Sequence, residues 1–326
     1  KDLIVHKTPW PENIVIGQAV NKAELITNIP KSTLKRDAIG IVLGSPIFRD
    51  STIIAKSSTK ENVKQVRKYF YNLFGLNDHE IIPSQYWLFD NGISSNDFKT
   101  IFDPSVGYVK DKIISNLEYS QKDTVDLFVY ISGEGTTFNG KKVILPFDAN
   151  LSKSSSFYYV DDLYSNLSKI QAMPDVGEIT LFMDVDFNNP AFVQNLEKKV
   201  EIVEKKGKKK KGKKKKGKKK KEEPEEPIVL LPKEIMPPKS ITAFFASNTT
   251  QLAYEHPDYD NSMFTYFLLK GMRGEADNGD KSLTVSELYN YVQKNVEDKT
   301  KVLYNDLPQV PILYTSTPDR VLYNLP

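Results

Sequence analysis

Three acidic residues stand at the ends of two apolar runs. Residues 124–135 read TVDLFVYISGEG and residues 178–189 read EITLFMDVDFNN; Glu134 leaves the first within a Gly-Glu-Gly turn, and Asp184 and Asp186 leave the second. Carboxylates brought together in this way can run a paired-carboxylate hydrolysis or hold a divalent metal ion. Both runs are too short to span a membrane and stop abruptly at small or acidic residues, as buried parallel strands do at the carboxyl edge of a sheet. That edge is where open α/β sheets place their chemistry. A single carboxylate there needs no function, because strands also end where solvent begins; three converging on one edge ask for an explanation.

The elements that must position them alternate in type. Residues 38–45 (AIGIVLGS) read as a buried first strand, with Gly44-Ser45-Pro46 as the turn after it. Over residues 60–75, Val63, Val66, Tyr69, Phe70 and Phe74 recur at helical spacing, and Gly75 suits a C-terminal cap. A strand is expected at 85–89, and helices at 108–118, 163–170 and 190–200. Residues 241–248 (ITAFFASN) read as another buried strand, and Phe264, Phe267, Leu268 and Met272 form the apolar face of a helix. Thr284 and Glu287 make a capping box that opens a helix through Val296. Residues 310–314 read as the last strand, with Pro311 at its start or on a sheet edge. The loop at 277–287 is one residue short of an EF-hand and has Lys281 in place of the turn glycine, which argues against calcium there. Strands alternating with helices call for an α/β fold, a mostly parallel sheet covered on both faces. Residues 1–35 carry no sustained period and read as an extended lead-in, or as the tail of a preceding domain.

The strand ends Ser132-Gly133-Glu134-Gly135 and Asp184-Val185-Asp186-Phe187-Asn188-Asn189 resemble the Ser-Gly-His-Gly and Asp-Ala-Cys-Phe-Ser-Gly signatures of the caspase-like peptidases, especially metacaspases and their bacterial relatives. The resemblance implies a caspase-hemoglobinase fold, a three-layer α/β sandwich around a mostly parallel six-stranded sheet. It runs from about residue 37 to residue 315, and puts the catalytic His at Glu134 and the nucleophilic Cys at Asp186. A carboxylate cannot replace a polarisable thiolate, and Glu134 cannot act as an imidazolium acid toward the leaving amine. The implied protein is a pseudo-caspase without peptidase activity. Asp184 matches the family's second basic-recognition carboxylate; the first falls loosely on Asn62, so the basic-residue pocket is half dismantled. Residues 141–149 (KKVILPFDA) resemble the family's YLLPxDA segment. Asp148, Asp161 and Asp162 lie near positions where several metacaspases bind activating Ca2+; alternatively, Asp161 and Asp162 serve the start of the helix that follows. Residues 251–277, notably SMFTYFLLKG at 262–271, resemble the bacterial small subunit. On this reading the large-subunit part covers 36–200, a linker 203–235 and the small-subunit part 238–326, in a monomer.

Within that linker the stretch from Lys205 to Lys221 reads KKGKKKKGKKKKGKKKK, followed by EEPEEP. So dense a positive block buries nothing and is expected to be a disordered loop. It could bind nucleic acid or anionic lipid, form a cleavage site, or be a solvated low-complexity insertion without aromatic residues to stack bases. The remaining composition is ordinary: 326 residues, 39% hydrophobic and 11% aromatic, suffice for one large domain, and the net charge of +3 says little because the positive charge is concentrated in the lysine stretch. The absence of cysteine excludes disulfides and thiolate metal sites. No stretch has the apolar length of a membrane span or signal peptide, so a soluble protein is expected, in the bacterial cytoplasm or outside it if a leader preceding Lys1 has been removed. Three functions fit: a binding pseudo-peptidase with a protein or peptide partner, a repurposed carboxylate or divalent-metal hydrolase, and a surface-interaction protein working through the lysines.

Overall fold

In a computed structural model of the chain, the residues described are 24–31, 37–83, 92–118, 123–189, 236–248, 250–305 and 307–325. The chain forms β1 (Ala38–Gly44), α1 (Thr59–Leu73), β2 (Ile81–Ile82), α2 (Ser95–Phe102), α3 (Tyr108–Leu117), β3 (Val125–Phe138), β4 (Lys141–Ile144), β5 (Tyr158–Tyr159), α4 (Val160–Gln171) and β6 (Val176–Asp186). Then come β7 (Ile241–Phe245), α5 (Met263–Lys270), β8 (Ser282–Thr284), α6 (Val285–Leu303), β9 (Ile312–Tyr314) and β10 (Val321–Asn324). The central sheet has the order β2-β1-β3-β6-β7-β9, with β9 antiparallel to β7 and every other neighbouring pair parallel. The expected α/β sandwich with a mostly parallel six-stranded sheet is thus present. The parts on either side of the lysine stretch share it through the pairing of β6 with β7.

Helices cover both faces, which is why β1 and β7 are buried at every residue and read as unbroken apolar runs. Strand side chains alternate between faces. Phe128 and Tyr130 of β3 and Phe182 of β6 join a core with α1, α5 and α6, whereas Leu127, Val129 and Ile131 of β3 and Leu181, Met183 and Val185 of β6 join the core under α2, α3 and α4. Continuing the alternation sends Ser132, Glu134, Asp184 and Asp186 to the α1, α5 and α6 side. Phe74, just after α1, stacks on Phe128 with ring centroids 4.0 Å apart and fixes that helix on the same face.

Several sequence expectations need correction. Glu134 does not end its strand: β3 continues to Phe138 because residues 135–138 pair antiparallel with β4, which pairs in turn with β5. The edge strand beside β1 is Ile81–Ile82, and the expected strand at 85–89 lies outside the described residues, as do the helix at 190–200 and the stretch from Lys205 to Lys221. The helix after Tyr159 begins at Val160, so Asp161 and Asp162 lie in its first turn and neither is the cap. Residues 310–314 do supply β9, but a further strand, β10, follows and pairs with β8. The capping box at Thr284 is present, and the helix it opens runs on to Leu303. Of the lead-in, Leu25 is buried and Glu24 pairs with Lys270 and Arg273, so this part packs on the domain. No helix among the described residues is long and apolar enough to cross a membrane.

Candidate functional site

The parallel register of β3 and β6 sets Ser132 beside Asp184 and Glu134 beside Asp186. Neighbouring strands lie about 4.8 Å apart, so two carboxyl groups on one face become close neighbours. Both are nearly sealed from solvent, Glu134 at 2% and Asp186 at 5% exposure. Burial pushes the Glu134 carboxyl up to about 7, against the pull of Lys56 and with added repulsion from Asp186. Burial also raises Asp186, opposed by Lys56 and by the backbone N–H groups of Asn188 and Ala253. The Asn188 N–H donates to Asp186 Oδ1 at 2.9 Å, and the Asn189 side-chain amide reaches Glu134 Oε2 at 3.4 Å.

Lys56, in the segment joining β1 to α1, was not singled out by sequence and supplies the compensating charge. It is 8% exposed, and its Nζ donates to the Ala253 carbonyl at 2.8 Å. Burial pulls its pKa down, but the fields of Asp186, Glu134 and Asp184 outweigh that and hold it above the ordinary lysine value. The ammonium therefore stays charged. Ala253 engages both partners, its N–H facing Asp186 and its carbonyl facing Lys56. Glu255, two residues on, accepts from Ser57 Oγ at 2.9 Å and the Ser58 N–H at 2.7 Å. Residues 56–58 and 253–255 are thereby tied together over the sheet edge. Nothing in residues 51–60 (STIIAKSSTK) separates Lys56 from Lys60, because its partners lie far along the chain.

Asp184 and Asn62 are brought together, and their surroundings are those of a structural network. Asp184 is 1% exposed, and its Oδ2 accepts from Ser262 Oγ, from Thr265 Oγ1 at 2.6 Å, from Asn62 Nδ2 at 3.2 Å and from Tyr130 OH at 3.4 Å. Asn62 also donates to Ser132 Oγ at 3.3 Å and accepts from Asn261 Nδ2 at 3.0 Å and the Ser262 N–H at 3.1 Å. Ser262 caps α5, accepting from the Thr265 N–H. The carboxylate is thus ringed by neutral donors from β3, α1 and α5. The Lys56 ammonium also faces this carboxylate, whose Oδ1 has no hydrogen-bond partner among the described residues.

The carboxylates weighed for Ca2+ are engaged separately. Asp148 accepts from the Ser95 N–H at 2.7 Å and Ser95 Oγ at 3.0 Å at the start of α2, beside a polar cleft of about 540 Å³ that Arg49 and Lys153 also line. Asp161 pairs with Lys141 at 3.0 Å, and Asp162 is exposed. Among the described residues no group of three or more acidic or histidine side chains is arranged to hold a metal ion. Phe187 packs with the opposite core, against Gly135 and under the Lys142 ammonium.

No protein-family model and no curated protein matches this sequence. Among solved structures, the chain is similar to caspase-1 from Spodoptera frugiperda, with 13% identity over 87% of this chain and 91% of that one and a TM-score of 0.45. It is also similar to a Geobacter sulfurreducens protein, with 10% identity over 85% of this chain and 92% of that one and a TM-score of 0.47.

Proposed function

We propose that this chain is a catalytically inactive caspase-like pseudo-peptidase, which recognises a protein or peptide partner and does not cut it. The observation that carries the reading is the register pair: Glu134 and Asp186 stand side by side on one face, at the two positions where the resemblance expects the imidazole and the thiol. With no cysteine in the sequence, the family's thioester chemistry has no nucleophile. Asp186 is fixed by two backbone N–H groups and faces the Lys56 charge, so its oxygens serve a closed ionic cluster. Recognition of an extended peptide as an added strand needs backbone hydrogen bonds and side-chain pockets, not a nucleophile.

One observation favours a second reading, a carboxylate hydrolase. Glu134 is held up to about 7 beside Asp186, and pairs of carboxyls whose ionisation is pushed apart serve as acid and base in several hydrolases. The burial of both groups and the presence of Lys56 between remote segments favour the first reading. One experiment separates them: the purified protein is incubated between pH 5 and 8 with a fluorophore-labelled degenerate hexapeptide library. Binding is followed by polarisation and cleavage by mass spectrometry. Saturable binding with intact peptide is the expected result; amide cleavage lost in Asp186→Ala would overturn the proposal.

A further inference from the structure

The ionic cluster does more than replace a dyad. Lys56 Nζ holds the Ala253 carbonyl at 2.8 Å, and Glu255 holds Ser57 and the Ser58 N–H at 2.9 and 2.7 Å. The Asn188 amide holds the Gln251 carbonyl at 2.9 Å. Two segments that are remote in sequence, 56–58 and 251–255, are therefore clasped to each other and to the end of β6, directly over Glu134 and Asp186. The contacts between the two segments run through polar and charged groups, and the exposure of the carboxyls beneath is 5% or less.

We infer that this clasp is a closure over the site, and that its hold depends on the ionisation of Glu134, the closed state belonging to the protonated side chain. The inference rests on the pseudo-peptidase reading only in taking the covered edge as the recognition site. Even with Glu134 neutral, the Lys56 ammonium already faces Asp186, Asp184 and Glu255. With Glu134 ionised, one more buried carboxylate has to share that ammonium, and an uncompensated buried charge is costly. Water can reach it only if the covering segments lift.

The groups facing Glu134 are Asp186 on β6, Lys56 before α1 and Glu255 before α5, with the neutral amide of Asn189 after β6. Tyr254 faces Asp186 and is itself raised, so it stays neutral. His256, the remaining titratable group of the covering segment, is kept neutral down to about pH 4 by burial and packs against Tyr259 and Tyr266, so it does not titrate in the range concerned. The sign follows from linkage. An acid whose pKa is about 7 when closed and near the ordinary 4.5 when solvated favours the closed form at low pH; between these values the closed form loses up to about 300-fold in population ratio, with no further loss above.

Hydrogen exchange followed by mass spectrometry, corrected for the intrinsic pH dependence of exchange, reads this directly. Peptides covering 56–58 and 251–256 should lose protection at least tenfold between pH 5.5 and pH 8.5, within the roughly 30-fold that the two pKa values allow over this interval, while peptides from β3 and β6 keep theirs. In Glu134→Gln the two segments should stay protected at both pH values, and in Lys56→Met they should be unprotected at both. A wild-type profile flat with pH, or a Glu134→Gln variant that still opens, would overturn the closure. Peptide cleavage by the same material would instead overturn the pseudo-peptidase reading, and leave the closure standing on its own result.

Discussion

Replacing Asp184 by Ala tests whether this carboxylate is a recognition group or a keystone. Its Oδ2 collects four donors, the hydroxyls of Ser262, Thr265 and Tyr130 and the amide of Asn62. Some of these have a fallback: Tyr130 and Thr265 already share a hydrogen bond of 2.6 Å, in which one of the two donates, and Asn62 also reaches Ser132. The Ser262 hydroxyl loses its Asp184 acceptor while still obliged to cap α5. An unsatisfied buried donor costs about 1–3 kcal/mol, and truncating one member of a buried charged network costs about 3–5 kcal/mol in all. The expected loss for Asp184→Ala is therefore about 3–5 kcal/mol, a large share of the roughly 5–15 kcal/mol that holds a domain together. Asp184→Asn, which keeps the volume and one acceptor oxygen, should lose about 1–3 kcal/mol. Urea denaturation at pH 7, with the midpoint and slope read separately, measures both. If Asp184→Ala unfolds within about 1 kcal/mol of wild type at unchanged slope, the network is not what retains the residue, and Asp184 is free to meet a ligand.

Other perturbations address the neighbouring elements. Because Glu134 is raised from 4.5 to about 7, the folded chain binds its proton more tightly than the unfolded chain does, so wild-type stability should fall as pH rises through that interval and level off above it. Urea midpoints should show Glu134→Gln matching wild type near pH 5 and exceeding it by about 3 kcal/mol at pH 9; parallel profiles would contradict the burial argument. Thr284→Ala removes a capping box in which Thr284 and Glu287 satisfy each other's backbone N–H groups, and thermal unfolding should register a loss of about 1 kcal/mol. Gly135→Ala puts a methyl 2.7 Å from Val185 Cγ1 and Phe187 Cδ1, and denaturation should report a loss of about 1–3 kcal/mol.

The sheet was legible because its strands are buried on both faces: β1 and β7 are short, unbroken runs of seven and five buried residues, mostly apolar or β-branched, and β1 stops at a turn. The placement of Glu134 beside Asp186 was legible too, since both end runs of one kind. What sequence concealed was decided by contacts distant in the chain. β3 passes Gly135 only because β4 is there to pair with it. β2 is two residues long and carries no period. The helix α2 had a readable start, Ser94 with Asp97 as a capping box, but only eight residues to show an apolar face. Lys56 owes its role to Ala253, Asp186 and Glu134, and a lysine among serines and threonines announces none of them.

The side chain of Asn62 makes contacts across 70, 122 and 199 residues of sequence, to Ser132, Asp184 and Asn261. Closing the chain over such spans costs entropy that these contacts must repay. The donors to Asp184 come from both sides of the lysine stretch, Asn62 and Tyr130 from one and Ser262 and Thr265 from the other. One amide thus stitches both parts of the chain to a single buried carboxylate, and a register slip in either part would strip that carboxylate of donors.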